Sequence, residues 1–168
     1  MSVNLTGQRV RAAVTNPLVR GCLAGTIATG IMTLLIEGGR AGDLFRTSPP
    51  EEITARAEAA VGVSHELSEP AFHASWGAAH VAYGALCGVG FALARPLLPA
   101  STVLAGLLFG GTVWAVSYLG VLPRLQLYPP IRVDAPARVA VMLAAHAAFG
   151  IATAEAARRL SGARRAGR

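Results

Sequence analysis

The stretch Ala78-Ala79-His80-Val81-Ala82-Tyr83-Gly84 decides how this chain is read, and it returns 66 positions later as Ala144-Ala145-His146-Ala147-Ala148-Phe149-Gly150. Each copy places one ionisable residue inside an apolar, Ala/Gly-rich segment long enough to cross a bilayer. The composition of the whole chain agrees. Of 168 residues, 53% are hydrophobic and 14% charged, and the mean hydropathy is +0.49. Charges so few and so clustered leave long neutral runs, which lipid favours and water does not. The length fits one domain.

A formal net charge of +6 raises the question of nucleic acid. Its distribution argues against that partner. All 15 basic residues are arginine, and most flank the apolar runs, where they act as topology signals. No aromatic residues interleave with them to stack bases. The partner implied is the lipid bilayer. Cys22 and Cys87 both fall inside apolar runs, where a small packing residue is favoured over a disulfide. Neither has an adjacent charge to activate its thiol.

Taken in order, residues 1–17 form a short cytoplasmic basic arm, and Pro17 can open the first helix. Span one is expected over 18–39, about 33 Å at 1.5 Å per residue, and is read as retained because no Ala-x-Ala cleavage site follows it. Its Gly21 and Gly25 form a small-xxx-small pair. Residues 40–73 are the one long loop and hold most of the acid. Within it, Ser48-Pro49-Pro50-Glu51 predicts a helix start, with Ser48 as N-cap and Glu51 placed for a capping box. Ile53, Ala57, Ala60 and Val61 share one face, and Gly62 ends the helix. The acidic outer face of this amphipathic helix favours packing on the protein's own spans over docking on anionic lipid.

Span two, 74–94, carries Trp76, His80, Tyr83 and a Gly84/Gly88 pair. Span three, 102–122, has a smooth face of Gly106, Gly110 and Gly111, then Trp114 and Tyr118 one turn apart. The proline-rich stretch 123–136 is predicted to be extended. Span four, 139–157, holds His146, and its Glu155 is placed to pair with Arg158 and Arg159. Residues 158–168 are a basic cytoplasmic tail.

The positive-inside rule sets the orientation. Arg9, Arg11, Arg20, Arg95, Arg158 and Arg159 collect on one side with the tail arginines, while three of the six on the other side are diluted by acid. Both termini are therefore expected in the cytoplasm of a bacterial inner membrane, with the 40–73 and 123–136 loops outside. The first and third spans also share Leu-Ala-Gly, at Leu23-Ala24-Gly25 and Leu104-Ala105-Gly106. The fold expected is all-α: four transmembrane helices over 18–157 as a duplicated helical hairpin, with a short external amphipathic helix. A homo-oligomer through the Gly-rich faces is the expected assembly.

The candidate functional polar groups are His80, His146, Glu37, Trp114 and Tyr83. The leading reading is a non-enzymatic structural or accessory bundle in which each histidine hydrogen-bonds across helices and fixes their register. The first alternative is a proton- or ion-coupled carrier or channel component using the two imidazoles, with Glu37 near the mouth. The second is a redox protein with haem held between His80 and His146. The loop cluster His65-Glu66-x-x-Glu69…His73 has residue types that suit a divalent metal, but Pro70 is expected to break the helix that would align them. No metal, cofactor or catalytic residue is assigned, because no phosphate-binding loop, nucleophile elbow or His-Glu-x-x-His occurs.

Several of these features together resemble the YagU-like family of small bacterial inner-membrane proteins. They are the Gly/Ala/Thr-rich first span running into Pro49-Pro50-x-x-Ile53, then His80-x-x-Tyr83-Gly84, the Trp114-bearing third span, the proline loop, and His146-x-x-Phe149-Gly150. The resemblance covers roughly residues 20–157. It implies a four-span inner-membrane protein and carries no assigned activity.

Overall fold

The computed structural model describes residues 15–63 and 68–162. Five helices carry the chain, and no strand occurs among the described residues. Helix α1 (Pro17–Ala41) opens on Asn16, whose side-chain oxygen accepts from the Leu18 N–H at 2.8 Å. Next come α2 (Pro49–Val61) and α3 (Glu69–Ala94), which passes into a 3₁₀ turn at Arg95–Leu97. Helix α4 (Thr102–Trp114) runs on as a π-helical stretch (Ala115–Val121) and a last α turn (Leu122–Arg124). After a loop, α5 spans Pro136–Gly162.

Four segments are long and apolar enough to cross a membrane: Pro17–Ala41, Glu69–Leu97, Thr102–Arg124 and Pro136–Gly162. Large apolar side chains cover their outer faces. Leu34, Leu86 and Leu97 are 75%, 67% and 88% exposed. Such an exterior is costly in water and natural in lipid.

Three local expectations need correction. Pro70 does not break the second span, which begins at Glu69 with the proline in its first turn. There a missing N–H costs nothing, because first-turn amides have no helical acceptor. Ser48 occupies the N-cap of α2, but its hydroxyl makes no cap bond and is buried without a partner. Pro50 has removed the N2 amide, one of the two a cap can serve, and the Ser48 hydroxyl does not reach the other, so the capping box does not form. The 123–136 stretch is not wholly extended, since it holds the final α4 turn and a 3₁₀ turn at Ile131–Val133. Gly62 does end α2, at φ 80, a left-handed conformation suited to glycine.

The long helices pack in the order α3–α1–α5–α4. Small residues set the close seams. The inward face of α1 is Gly21, Ala24, Gly25, Ala28, Thr29 and Met32, which recur at the i, i+3, i+4 spacing of one helix face. A Cβ at Gly88 would overlap the Gly21 carbonyl oxygen and lie 2.8 Å from the Gly25 Cα. A Cβ at Gly150 would overlap the Gly106 carbonyl oxygen and lie 2.7 Å from the Gly110 nitrogen. Backbone-to-backbone approach of this kind maximises dispersion contact where no hydrophobic effect acts between helices. Thr29, Thr33 and Thr153 return their hydroxyls to carbonyls four residues back, at 2.8, 2.9 and 2.8 Å, so their polarity is spent locally.

Helices α3 and α4 have no such seam. An edge-on contact of Phe91 with Phe109 (5.2 Å between centroids, 76°) and a 2.7 Å hydrogen bond between the Tyr83 and Ser117 hydroxyls bridge them. Toward α2 the two helices leave a gap, and the polar groups gather around it.

Candidate functional site

The gap is a cavity of about 410 Å³. Helix α3 contributes His80 and Tyr83 to its wall, and α5 contributes Met142 and His146. The π-helical stretch adds Val116, Ser117 and Tyr118. A π turn has an extra residue per hydrogen-bonded ring, so it widens the helix and re-aims its side chains. Across the mouth lies α2, presenting Pro49, Ile53 and Ala57.

His146 is 6% exposed, and its Nδ1 lies 2.8 Å from the Met142 carbonyl oxygen one turn earlier. That bond stays within α5, so the cross-helix hydrogen bond expected of His146 is not formed. His80 reaches the same cavity from α3, and its Nε2 is buried without a partner. Tyr83 also lines the cavity but is 47% exposed on the bundle exterior. Trp114 stands one layer behind. It stacks on Tyr118 at 5.5 Å and 15°, and its indole N–H is buried without a partner. Glu37 is elsewhere, paired with Arg40 at 2.5 Å. Of the five residues singled out from sequence, His80, His146 and Tyr83 meet at one cavity.

The sequence reading passed over the polar cluster that fastens the mouth. The Asp134 side chain is fully buried. Its carboxylate accepts from the Tyr118 hydroxyl, from the Ala135 N–H at 2.8 Å and from Arg138 Nε at 2.5 Å. Tyr128 donates more weakly at 3.4 Å, and Arg138 lies 5.3 Å above the Tyr128 ring. Arg138 also reaches Glu52 of α2 at 3.3 Å, and Glu52 pairs with Arg56 at 2.8 Å. The two oxygens thus accept from donors on four residues, Tyr118, Tyr128, Ala135 and Arg138. The cluster thereby ties α4, the loop, α5 and α2 together. Burial pushes the Tyr128 phenol up to about 12, against the pull of the Arg138 guanidinium. The readable signal was Asp134-x-x-x-Arg138, an i,i+4 acid–base pair at a helix start.

Among the described residues no three His, Cys, Asp or Glu side chains converge as a metal site. Glu69 and His73 stand 3.5 Å apart on exposed helix surface, while His65 and Glu66 lie outside the described residues. Cys22 and Cys87 are free thiols.

Residues 15–167 match the model of a family described as a family of unknown function, DUF6789. No curated protein matches, and no solved structure does. Nothing in these comparisons ties the chain to the YagU-like proteins in particular.

Proposed function

We propose that this chain, which belongs to DUF6789, is an integral protein of the bacterial inner membrane that holds a small, mainly apolar molecule between α3 and α4. It acts as a non-enzymatic binding or accessory protein. The observation that carries this reading is the 410 Å³ cavity, whose walls are apolar apart from two imidazoles and a few hydroxyls. Small-molecule sites have this size and character, typically about 300–1,000 Å³ with few polar groups. The carboxylates of the mouth cluster, Asp134 and Glu52, are both engaged by Arg138, so neither is free to activate an imidazole.

In this reading both termini are cytoplasmic, and α2 covers the cavity from the outside. The spans form a duplicated hairpin, α1 with α3 and α4 with α5. The Gly25–Gly88 approach then has its counterpart in Gly106–Gly150. A strict repeat would pair α3 with α4 as it pairs α1 with α5, and the cavity stands in place of that missing seam. Gly30 and Gly111 face open space and give a second copy of the chain a smooth face to pack on.

The test is photolabelling in native membranes with an uncharged, lipophilic diazirine probe, read by peptide mass spectrometry. The expected result is saturable labelling on α2, α3 and the 116–122 segment, lost in Ala57→Trp, which fills the mouth. Labelling spread evenly over outward residues such as Leu34 and Leu86, without saturation, refutes the reading. So does a Soret band in protein purified after haem-replete expression, which would give the cavity to haem.

A further inference from the structure

The hydrogen-bonding roles of the two imidazoles narrow the ligand class, on the footing that the cavity is a binding site. The Met142 carbonyl only accepts, so the 2.8 Å contact requires the proton on His146 Nδ1. A neutral imidazole carries one N–H, so His146 Nε2 is then a lone pair. The ring is neutral because no anionic side chain lines the cavity to compensate an imidazolium. His80 lines the same cavity, but its Nε2 is sealed from that space and has no partner in the protein. An orphaned polar atom of this kind is destabilising until something bonds to it.

The lining also excludes whole classes of ligand. The guanidiniums nearby, Arg138 and Arg56, are held by Asp134 and Glu52, so a carboxylate or phosphate would enter uncompensated. A metal ion would find two nitrogens and no anionic donor. What remains is an uncharged molecule with an apolar skeleton and a group that donates to a lone pair.

We infer that the cavity takes an uncharged, membrane-soluble molecule bearing a hydroxyl, which donates its hydrogen bond to His146 Nε2. Two sources share that chemistry: a phenol, such as the reduced form of a lipid quinone, and an isoprenoid or fatty alcohol.

The experiment uses the full chain in mild detergent and titrates three probes: a decyl-substituted benzoquinol, its dimethyl ether, and a fifteen-carbon isoprenoid alcohol. Binding is read by competition with the diazirine probe and by the shift in thermal midpoint. Wild-type protein should bind the quinol or the alcohol about tenfold more tightly than the ether, the scale of one lost hydrogen bond at a buried acceptor. Which of the two hydroxyl probes wins identifies the source. His146→Phe, which keeps a ring but removes the lone pair, should abolish the preference, bringing the ratio of hydroxyl to ether affinity to about one. If that variant fails to fold, the wild-type ratio decides alone. Equal affinity for ether and hydroxyl forms overturns the hydroxyl assignment while leaving the cavity as a binding site. No competition by any probe overturns both.

Discussion

Replacing Asp134 by Asn removes one charge and little volume, so it isolates the electrostatics of the buried cluster. The carboxylate accepts from Tyr118, Ala135 and Arg138 and is fully buried, while the Arg138 side chain is 18% exposed. An amide still accepts on one oxygen. It leaves the guanidinium with Glu52 at 3.3 Å as its remaining anionic partner. Breaking a buried pair from one side costs about 3–5 kcal/mol, mostly the penalty of the charge left behind. For a chain of this length that lowers the thermal midpoint by about 6–20 °C, taking roughly 2–4 °C per kcal/mol. The assay is native to the molecule. Cys22 and Cys87 are free and partly buried on α1 and α3, so a thiol-reactive fluorogenic dye reports unfolding in detergent. Arg138→Met removes the stranded cation, so Asp134→Asn with Arg138→Met should be less destabilised than the sum of the two single variants, by about 1–3 kcal/mol. Additive losses, or an Asp134→Asn midpoint within a degree of wild type, would show that the cluster does not act as a unit.

Gly88→Ala should lose about 1–3 kcal/mol, because its methyl would overlap the Gly21 carbonyl; Gly30→Ala, which meets nothing within 4 Å, should hold or gain stability in the same dye assay. Tyr128 keeps its proton until about pH 12 when folded, whereas an unfolded phenol ionises near 10. The folded state therefore binds more protons in that window, and stability should fall as pH rises from 10 to 12; Tyr128→Phe should remove that part of the slope, measured as midpoint against pH. Glu155→Gln should leave the midpoint unchanged, since its partners Arg158 and Arg159 are exposed and their pairing is screened. In spheroplasts, a Cys placed at Arg132 should react with an impermeant maleimide and one at Ser101 should not; the opposite pattern inverts the proposed threading.

The long helices were legible because membrane spans announce themselves in composition, and the glycine seams because small-xxx-small spacing has one physical use. Gly62 and Pro17 marked helix ends by conformational restriction that operates whatever the surroundings. The convergence of His80 and His146 was legible in part, since the repeated motif puts each a similar number of residues into its span. The partners of each ring were not, because a helix's rotation about its axis is set by packing and leaves no mark in spacing. The gap between α3 and α4 was hidden for the same reason. The π-helical stretch at Ala115–Val121 had only an indirect signal, Gly120 and the Pro123 that follows it, both unfavourable inside a regular α-helix. Asp134 was overlooked in a proline-rich loop, where an acid usually points to solvent. Only the fold of that loop back under Tyr118 and Tyr128 takes the carboxylate inside.

The unsealed flank between α3 and α4 bears on how any guest arrives. Tyr83 and Val116 border the cavity, and each is about half exposed on the outside of the bundle, at 47% and 56%. In the proposed membrane setting the doorway is sideways, into the surrounding oil, while α2 is strapped over the top through Arg138 and Glu52. Occupancy then follows how much of the molecule is dissolved per unit of bilayer and not its aqueous level. Doubling the phospholipid at a fixed total amount of guest should empty the cavity much as diluting a soluble receptor would.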